Sequence, residues 1–269
     1  MNQNKPTWSL ITVAFNSREQ LLRHWSGLTF PEEVEWIVVD NNSADDSAGV
    51  AAEMGAHVIR LETNRGFGAA NNVGFEASRA EYVAFVNPDV TPNLADLAVL
   101  RHHLEDSPDD LVSPQLLNLD GSLQPNGRGQ PLLLHKIMHR IAPDRLDGTY
   151  RIFAGAGEKR EVDWLIGAVV AGTRTHLRSL GPWDEHFFVY YEDKDLGIRN
   201  ALARGRSVLI GDARWVHGWA RETSGINLRA WKLELSSMAK FYWRYPELLL
   251  SSNSARRLLK KTKPSEGIA

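Results

Sequence analysis

Apolar and polar positions come in blocks along the first hundred residues. Trp8 to Phe15 is an apolar run sized for a buried strand, and Asn16-Ser17 supplies the turn after it. Ser17 with Gln20 three residues on reads as a capping box, opening a helix to about Leu28. Glu35 to Asp40 reads as a second strand with a polar tip, Asp40-Asn41-Asn42-Ser43. A short helix follows from Ser47 to Met54, with Gly55 as its stop. Ala56–Leu61 is predicted as the third strand and Tyr82–Asn87 as the fourth. Thr91-Pro92 is the predicted N-cap and first turn of the next helix, with Leu94, Leu97, Ala98 and Leu104 along one face. Strands alternating with helices predict a parallel sheet built from βαβ units.

The pattern loosens in the second half. Leu116 to Gln124 carries Asp120-Gly121 between apolar residues, a hairpin signal. Residues 125–160 are rich in Gly, Pro and basic groups, with one apolar patch at Leu132-Leu133-Leu134. That stretch is expected to be irregular, either a surface insertion or a segment that closes over a substrate. Val162 to Gly172 and Ser207 to Ile210 resume strand patterns. Leu228, Trp231, Leu235, Met238 and Tyr242 make a helical stripe expected in the core, and Pro246 ends it.

Composition narrows the classes. In 269 residues, 43% hydrophobic content with 9 Trp supplies the core of one large α/β domain. A net charge of −2 gives no basic footprint, so no nucleic-acid partner is expected. There is no Cys, which excludes disulfides, thiolate catalysis and thiolate-held zinc and fits a reducing, cytoplasmic compartment. No apolar run approaches the ~18–20 residues that span a bilayer, and the polar start is not expected to be a signal peptide. The basic tail Arg256, Arg257, Lys260, Lys261 and Lys263 is either a solvated end or a peripheral contact with the anionic inner face of a membrane.

Chemistry gathers at strand ends. Pro88 has no N–H to donate, so the Tyr82–Val86 run must stop at Asn87-Pro88-Asp89. Ligands of open α/β sheets bind beyond such carboxyl ends. A carboxylate there can hold a metal against phosphate oxygens, or simply cap a helix. Asp40 can accept from a base N–H. Asn64-Arg65-Gly66-Phe67-Gly68 is a glycine-bearing turn into a helix at Ala69, which suits phosphate, although a tight turn alone explains it too. Trp183 to Leu196 sets aromatics beside Glu192, Asp193 and Asp195. Asp195 and Arg199 are spaced to brace a helix. Glu192 and Asp193 remain, either as dipole partners at a helix start or as catalytic acids. His217, beside Gly218 at a strand exit, is either structural or a ligand.

These residues resemble a known family. Ser9 to Asn16 and Val38 to Ser43 resemble the start of the family 2 inverting glycosyltransferases of the GT-A fold. Asn64 to Gly74 is similar to their diphosphate-side stretch. Asn87-Pro88-Asp89 resembles their DXD motif in the form of the rhamnosyltransferase-like branch, with Asn87 where the first Asp would stand. The resemblance implies a GT-A, Rossmann-like α/β fold, its mostly parallel sheet flanked by helices. It implies that Thr12, Val13, Ala14 and Phe15 border the nucleotide, that Asp40 recognises uracil or thymine, and that Asn42, Arg65, Gly66, Asn72, Asn87 and Pro88 lie on the nucleotide side. It implies that Asp89 reaches the diphosphate through Mg²⁺ or Mn²⁺, with His217 as second protein ligand. It implies an acceptor wall at Trp164, Gly167 and Ala168, and a general base at Asp193, with Glu192 next in line. Ser224-Gly225 would be a flexible turn near phosphate.

The expected division is residues 1–225 as the transferase domain (nucleotide-sugar half 1–112, acceptor half 113–225) and 226–269 as a helical extension with the basic tail. The expected donor is a dTDP- or UDP-sugar, with dTDP-rhamnose foremost. The expected acceptor is a hydroxyl of a cell-envelope polysaccharide or lipid-linked glycan. One alternative, a nucleotidyltransferase, would need a basic glycine-rich loop after the first strand, and Ala14-Phe15-Asn16-Ser17 is not one. The other is a non-catalytic module that binds sugar nucleotides.

Overall fold

Four strands form the frame on which the site is hung, three of them largely buried: β1 (Trp8–Ala14), β2 (Val34–Asp40), the edge strand β3 (His57–Arg60) and β4 (Tyr82–Val86). All their ladders are parallel, with β1 between β2 and β4. Their crossovers carry α1 (Arg18–Trp25), α2 (Ser47–Glu53) and α3 (Phe67–Ala77). The computed structural model describes residues 5–218, apart from 143, 144 and 146, and residues 228–250. Ser224-Gly225 and the basic tail lie outside the described residues.

Beyond β4 the direction changes. β11 (Val169–Thr173) pairs antiparallel with β4 and with β6 (Leu111–Leu117). β12 (Ser207–His217) runs parallel to β6, and it also pairs antiparallel with β5 (Val90–Thr91) and β9 (Lys159–Val162). The order is β3-β2-β1-β4-β11-β6-β12-β5, and only β5, β9 and β11 run against the rest. The sheet is therefore mostly parallel, as the alternation of elements predicted. A small antiparallel sheet, β10 (Trp164–Leu165), β7 (Gly127–Arg128) and β8 (Arg151–Ile152), sits beside it.

The sheet divides two apolar layers. On one face Trp25 stacks on Trp36 at 4.5 Å and packs with Leu10, Leu21, Leu100 and Leu104, the last two from α4 (Leu97–Asp106). On the other Phe75, Phe85 and Trp183 pack with Leu165, Leu177 and Leu209. Leu177 belongs to α6 (Arg174–Leu180). A third cluster joins α7 (Glu192–Leu202) to α8 (Leu228–Arg244) and α9 (Glu247–Leu250) through Phe187, Tyr191, Phe241, Tyr242, Tyr245 and Leu248.

Several expectations are corrected. Ser17 stands at the N-cap of α1 but makes no side-chain cap bond; its hydroxyl turns back to the Phe15 backbone. Thr91 is a strand residue, and Asn93 instead caps the turn before α4, accepting from the Ala95 N–H at 3.3 Å. The 125–160 stretch is not irregular throughout: it holds β7, β8 and α5 (Leu133–Ile141). The helix stripe is only partly core. Met238 and Tyr242 pack inward, but Leu235 is 51% exposed.

Candidate active site

The tip after β4 is stapled on three sides. The Asn87 N–H donates to the Ala168 carbonyl at 2.9 Å, Trp25 Nε1 donates to the Pro88 carbonyl at 3.1 Å, and the Gly218 N–H donates to the Asp89 carbonyl at 2.8 Å. The last bond brings the end of β12 against the tip, so Asp89 Oδ2 lies 3.4 Å from His217 Nε2. His217 Nδ1 is 2.6 Å from Gln124 Oε1, which can only accept, so this nitrogen carries a proton. Nε2 then meets the carboxylate with either a proton or a cation between them. Burial alone would raise the Asp89 carboxyl, but the hydrogen bond and charge of His217 outweigh it and leave it below its ordinary value. Asp89 Oδ1 is buried and makes no hydrogen bond to another described residue. An orphaned carboxylate oxygen and an imidazole nitrogen at one point fit a divalent cation. Among the described residues no group of three or more His, Cys, Asp or Glu could hold a metal. The protein would supply two ligands, one carboxylate and one imidazole, and leave the others to phosphate and water.

The turn before α3 needs its glycine. Gly66 has φ +86°, and a Cβ there would fall 2.4 Å from the Phe188 carbonyl oxygen. The Phe67 N–H donates to that same carbonyl at 2.8 Å. Asn41, just past β2, holds the turn from the other side: its Oδ1 accepts from the Arg65 N–H at 2.8 Å and its Nδ2 donates to the Gly66 carbonyl at 3.2 Å. Asn72 binds both the carbonyl and the N–H of Trp183. The segment 183–188 is thereby docked on α3.

That segment leads into α7 through Tyr190 and Tyr191, both left-handed at φ 68° and 72°. The pair turns the chain so that α7 opens at the cleft with Glu192 and Asp193. Asp193 Oδ2 accepts from the Gly167 N–H at 3.3 Å, and Oδ1 from the Lys194 N–H at 2.8 Å. Lys194 Nζ sits 4.0 Å from Oδ1 and over the rings of Tyr191 and Trp164, at 4.1 and 4.5 Å. Two residues on, buried Asp195 accepts from Arg199 at 2.6 Å, as its spacing predicted, and also from Arg244 at 2.9 Å and the Tyr245 hydroxyl at 2.8 Å.

Two adjoining cavities result. The first, about 510 Å³, is lined by Val13, Phe15, Asn41, Gly66, Asn87, Pro88 and Asp89 among others. The second, about 420 Å³, is lined by Arg128, Gly167, Ala168, Glu192, Asp193 and His217 among others. Phe67, Asn87, Asp89, Val189 and Tyr190 line both. Asp89 and Asp193, 104 positions apart in the chain, thus border one space.

Other expected site residues do not line either cavity. Thr12 and Ala14 alternate with Val13 and Phe15 and so face the core; the Thr12 hydroxyl accepts from Trp36 Nε1. Asp40 is buried and accepts from the Ser43 N–H, and Asn42 is exposed. Arg65 pairs with Glu185 at 3.4 Å on the surface. Asn72 is spent on Trp183. Trp164 lies behind the acceptor-side wall, its Nε1 donating to the Gly129 carbonyl at 3.0 Å. Residues that sequence reasoning missed are Asn41, Gln124, Arg128 and Tyr190. Two of them carry a signal: Asn41 stands at a strand end beside Asp40, and Tyr190 belongs to the aromatic stretch before Glu192.

Residues 9–167 match the sequence profile described as Glycosyl transferase family 2. The chain belongs to glycosyl transferase family 2. It is an enzyme that transfers a sugar from a nucleotide-sugar donor. This glycosyltransferase is 28% identical over 235 residues to N-acetylglucosaminyl-diphospho-decaprenol L-rhamnosyltransferase of Mycobacterium tuberculosis, covering 80% of this chain and 76% of that one. It is 25% identical over 214 residues to the low-salt glycan biosynthesis hexosyltransferase Agl10 of Haloferax volcanii, covering 77% and 65%. Solved structures agree in fold. GalNAc-T7, crystallised with UDP, GalNAc and Mn²⁺, superposes with a TM-score of 0.62 at 15% identity over 97% of this chain and 55% of that one. The mannosyltransferase PcManGT of Pyrobaculum calidifontis, in complex with GDP-Man and Mn²⁺, gives 0.60 at 16% identity over 96% and 70%. Among the described residues no helix is long and apolar enough to cross a membrane.

Proposed function

We propose that this glycosyltransferase moves rhamnose, with inversion, from dTDP-rhamnose to a hydroxyl of a lipid-linked or cell-envelope glycan. The observation that carries the reading is the shared wall: Asp89 borders both cavities, and Asp193 borders only the second. The nucleotide diphosphate lies in the first cavity, against the Gly66 turn and the Asn87-Pro88-Asp89 tip. The acceptor hydroxyl lies in the second, against Gly167 and Asp193. Asp193 takes the proton from that hydroxyl. The acceptor oxygen attacks the anomeric carbon from the face opposite the diphosphate, the bond to the leaving phosphate oxygen breaks, and the configuration inverts. The Gly167 and Lys194 N–H groups orient the Asp193 carboxylate so that it meets the incoming hydroxyl. Asp89 and His217 would hold Mg²⁺ or Mn²⁺, and Gln124 orients His217 for that task. When bound, the cation neutralises charge developing on the leaving diphosphate.

The rhamnose assignment is supported by the Mycobacterium tuberculosis relative and by the Asn87-Pro88-Asp89 form of the motif. The lipid-linked acceptor is supported by the same relative's decaprenyl diphosphate substrate. Contact with an anionic inner membrane face would suit such an acceptor, and the basic tail is the segment proposed to make it. The same reading treats 1–112 as the nucleotide-sugar half, 113–225 as the acceptor half and 226–269 as the extension.

The test is a thermal-shift panel of dTDP-rhamnose, UDP-hexoses and GDP-mannose with Mn²⁺, followed by NMR assignment of the anomeric configuration in the product. The largest stabilisation by dTDP-rhamnose and an inverted product are expected. A larger shift with a UDP-hexose would remove the rhamnose assignment, and a retained configuration would remove the single-displacement mechanism.

A further inference from the structure

Glu192 is an acid the mechanism above does not use. Its side chain is wholly buried at the first turn of α7, with the residue 6% exposed. It lines the acceptor-side cavity and is absent from the lining of the donor side. Its Oε2 is buried and has no hydrogen-bond partner among the described residues. An ionised carboxylate left so would be expensive, because burial strips its hydration and nothing replaces it.

We propose that Glu192 is a specificity-determining residue whose carboxyl O–H donates a hydrogen bond to an oxygen of the bound sugar acceptor, while Asp193 beside it carries the negative charge. The inference rests on the transferase reading of the site and adds to it a division of labour between two adjacent acids. One accepts the proton of the attacking hydroxyl. The other, in its protonated form, holds a second acceptor oxygen in place.

The surroundings favour that division. Lys194, a cation that acts on Glu192, sits over the Tyr191 and Trp164 rings and beside Asp193 Oδ1. Asp193 is anchored by two N–H groups, those of Gly167 and Lys194. Glu192 has the like charge of Asp193 next to it, with Tyr190 just before. Across the cavity stand Arg128 from β7, His217 at the end of β12 and Asp89 after β4. Burial first and the Asp193 charge second push the Glu192 carboxyl well above its ordinary value, against smaller opposing effects of its own backbone N–H and Lys194. A neutral acid in a polar cleft offers one donor and selects a ligand atom that can only accept or prefers to: a hydroxyl, ring or glycosidic oxygen. A site built to hydrogen-bond a substrate oxygen rejects analogues that lack it, because its own polar group is then left unpaired.

The test uses the full-length enzyme with its donor and a series of acceptors. Glu192→Ala should raise the acceptor KM roughly tenfold, the size of one net hydrogen bond, and Glu192→Gln, whose amide still donates, should recover part of that loss. In the wild type the acceptor KM should climb as pH rises through the Glu192 titration, and in Glu192→Gln it should not. A merely structural role would move the donor KM and the melting temperature equally, and would leave no pH signature. Loss of kcat in Glu192→Gln as deep as in Asp193→Asn, or an unchanged acceptor KM in Glu192→Ala, would overturn the proposal. A second readout does not depend on turnover. The infrared spectrum of wild type minus Glu192→Gln at neutral pH should contain a protonated carboxyl C=O band, and a carboxylate band in its place would overturn the proposal. If the wild type transfers no sugar from any nucleotide donor, the transferase reading of the site fails while the infrared result still decides the state of Glu192.

Discussion

The two sides of the cleft are built from different materials. The donor side is lined by neutral groups, Asn16, Ser17, Gln20, Asn41, Asn64, Gly66 and Asn87, with Asp89 as its single carboxylate. Most stand on or just past the ends of strands whose ladders fix them. The acceptor side gathers Arg128, Glu192, Asp193 and His217 in a smaller space. Its main wall, α7, is held by buried Asp195, which ties Arg199, Arg244 and Tyr245 together. In the proposed function one side binds a large polar ligand without changing its own charge, and the other moves a proton. Asp89, on the boundary, is where the two tasks meet.

The boundary is where substitution should cost most. Asp89→Ala should slow transfer on the order of 10²–10³-fold, because several kcal/mol of cation-assisted stabilisation go with it. Steady-state rates with Mn²⁺ and with chelator check this, and wild type and variant should converge once the cation is removed. Next comes Gln124→Leu, which leaves both proposed ligands in place but frees the His217 ring. It should weaken Mn²⁺ binding roughly 10–100-fold by calorimetry. Unchanged affinity would mean that His217 does not serve the cation.

Smaller effects probe the acceptor-side scaffold. Tyr245→Phe removes one donor from a buried carboxylate and should cost roughly 1.5–3 kcal/mol in denaturant unfolding, with donor binding preserved. A donor affinity that fell in step would erase the distinction between the sides. The mildest effect is an acid limb. Burial would raise the Asp184 carboxyl, but the His186 N–H, Arg244 and the His186 ring outweigh it and hold it at about 2. The unfolded chain therefore binds the proton first. The stability from Asp184 is fully present above about pH 3.9 and is lost as pH falls through about 2. Asp184→Asn should flatten that limb in unfolding measured against pH.

The same contrast explains what was legible in the sequence. The donor-side strands announce themselves because each is a short buried run with a polar end, and β1, β2 and β4 fall where the pattern predicts. Even there the resemblance implied that Thr12 and Ala14 border the nucleotide, whereas period-two alternation turns both into the core. The acceptor side is written in tertiary contacts. β6 contains Pro114, which argues against a central strand. The structure accommodates it because β11 pairs β6 only at Val112, and the buried Asn126 side chain then takes over, accepting from the Leu116 N–H and donating to the Pro114 carbonyl. β12 is one strand rather than two pieces, because a register shift between Ile210 and Arg214 absorbs Gly211, Asp212 and Ala213. Gln124 and Arg128 carry no local signal at all; only folding of the 111–128 stretch brings them to the cavity.

The central claim is that binding and proton removal reside on opposite sides of one cleft, and Asp193→Asn tests it most directly. Donor affinity by calorimetry and acceptor transfer by product analysis would be measured on the same preparation. The account predicts donor affinity close to wild type with transfer slowed roughly 10²–10⁴-fold. Transfer at the wild-type rate would contradict it.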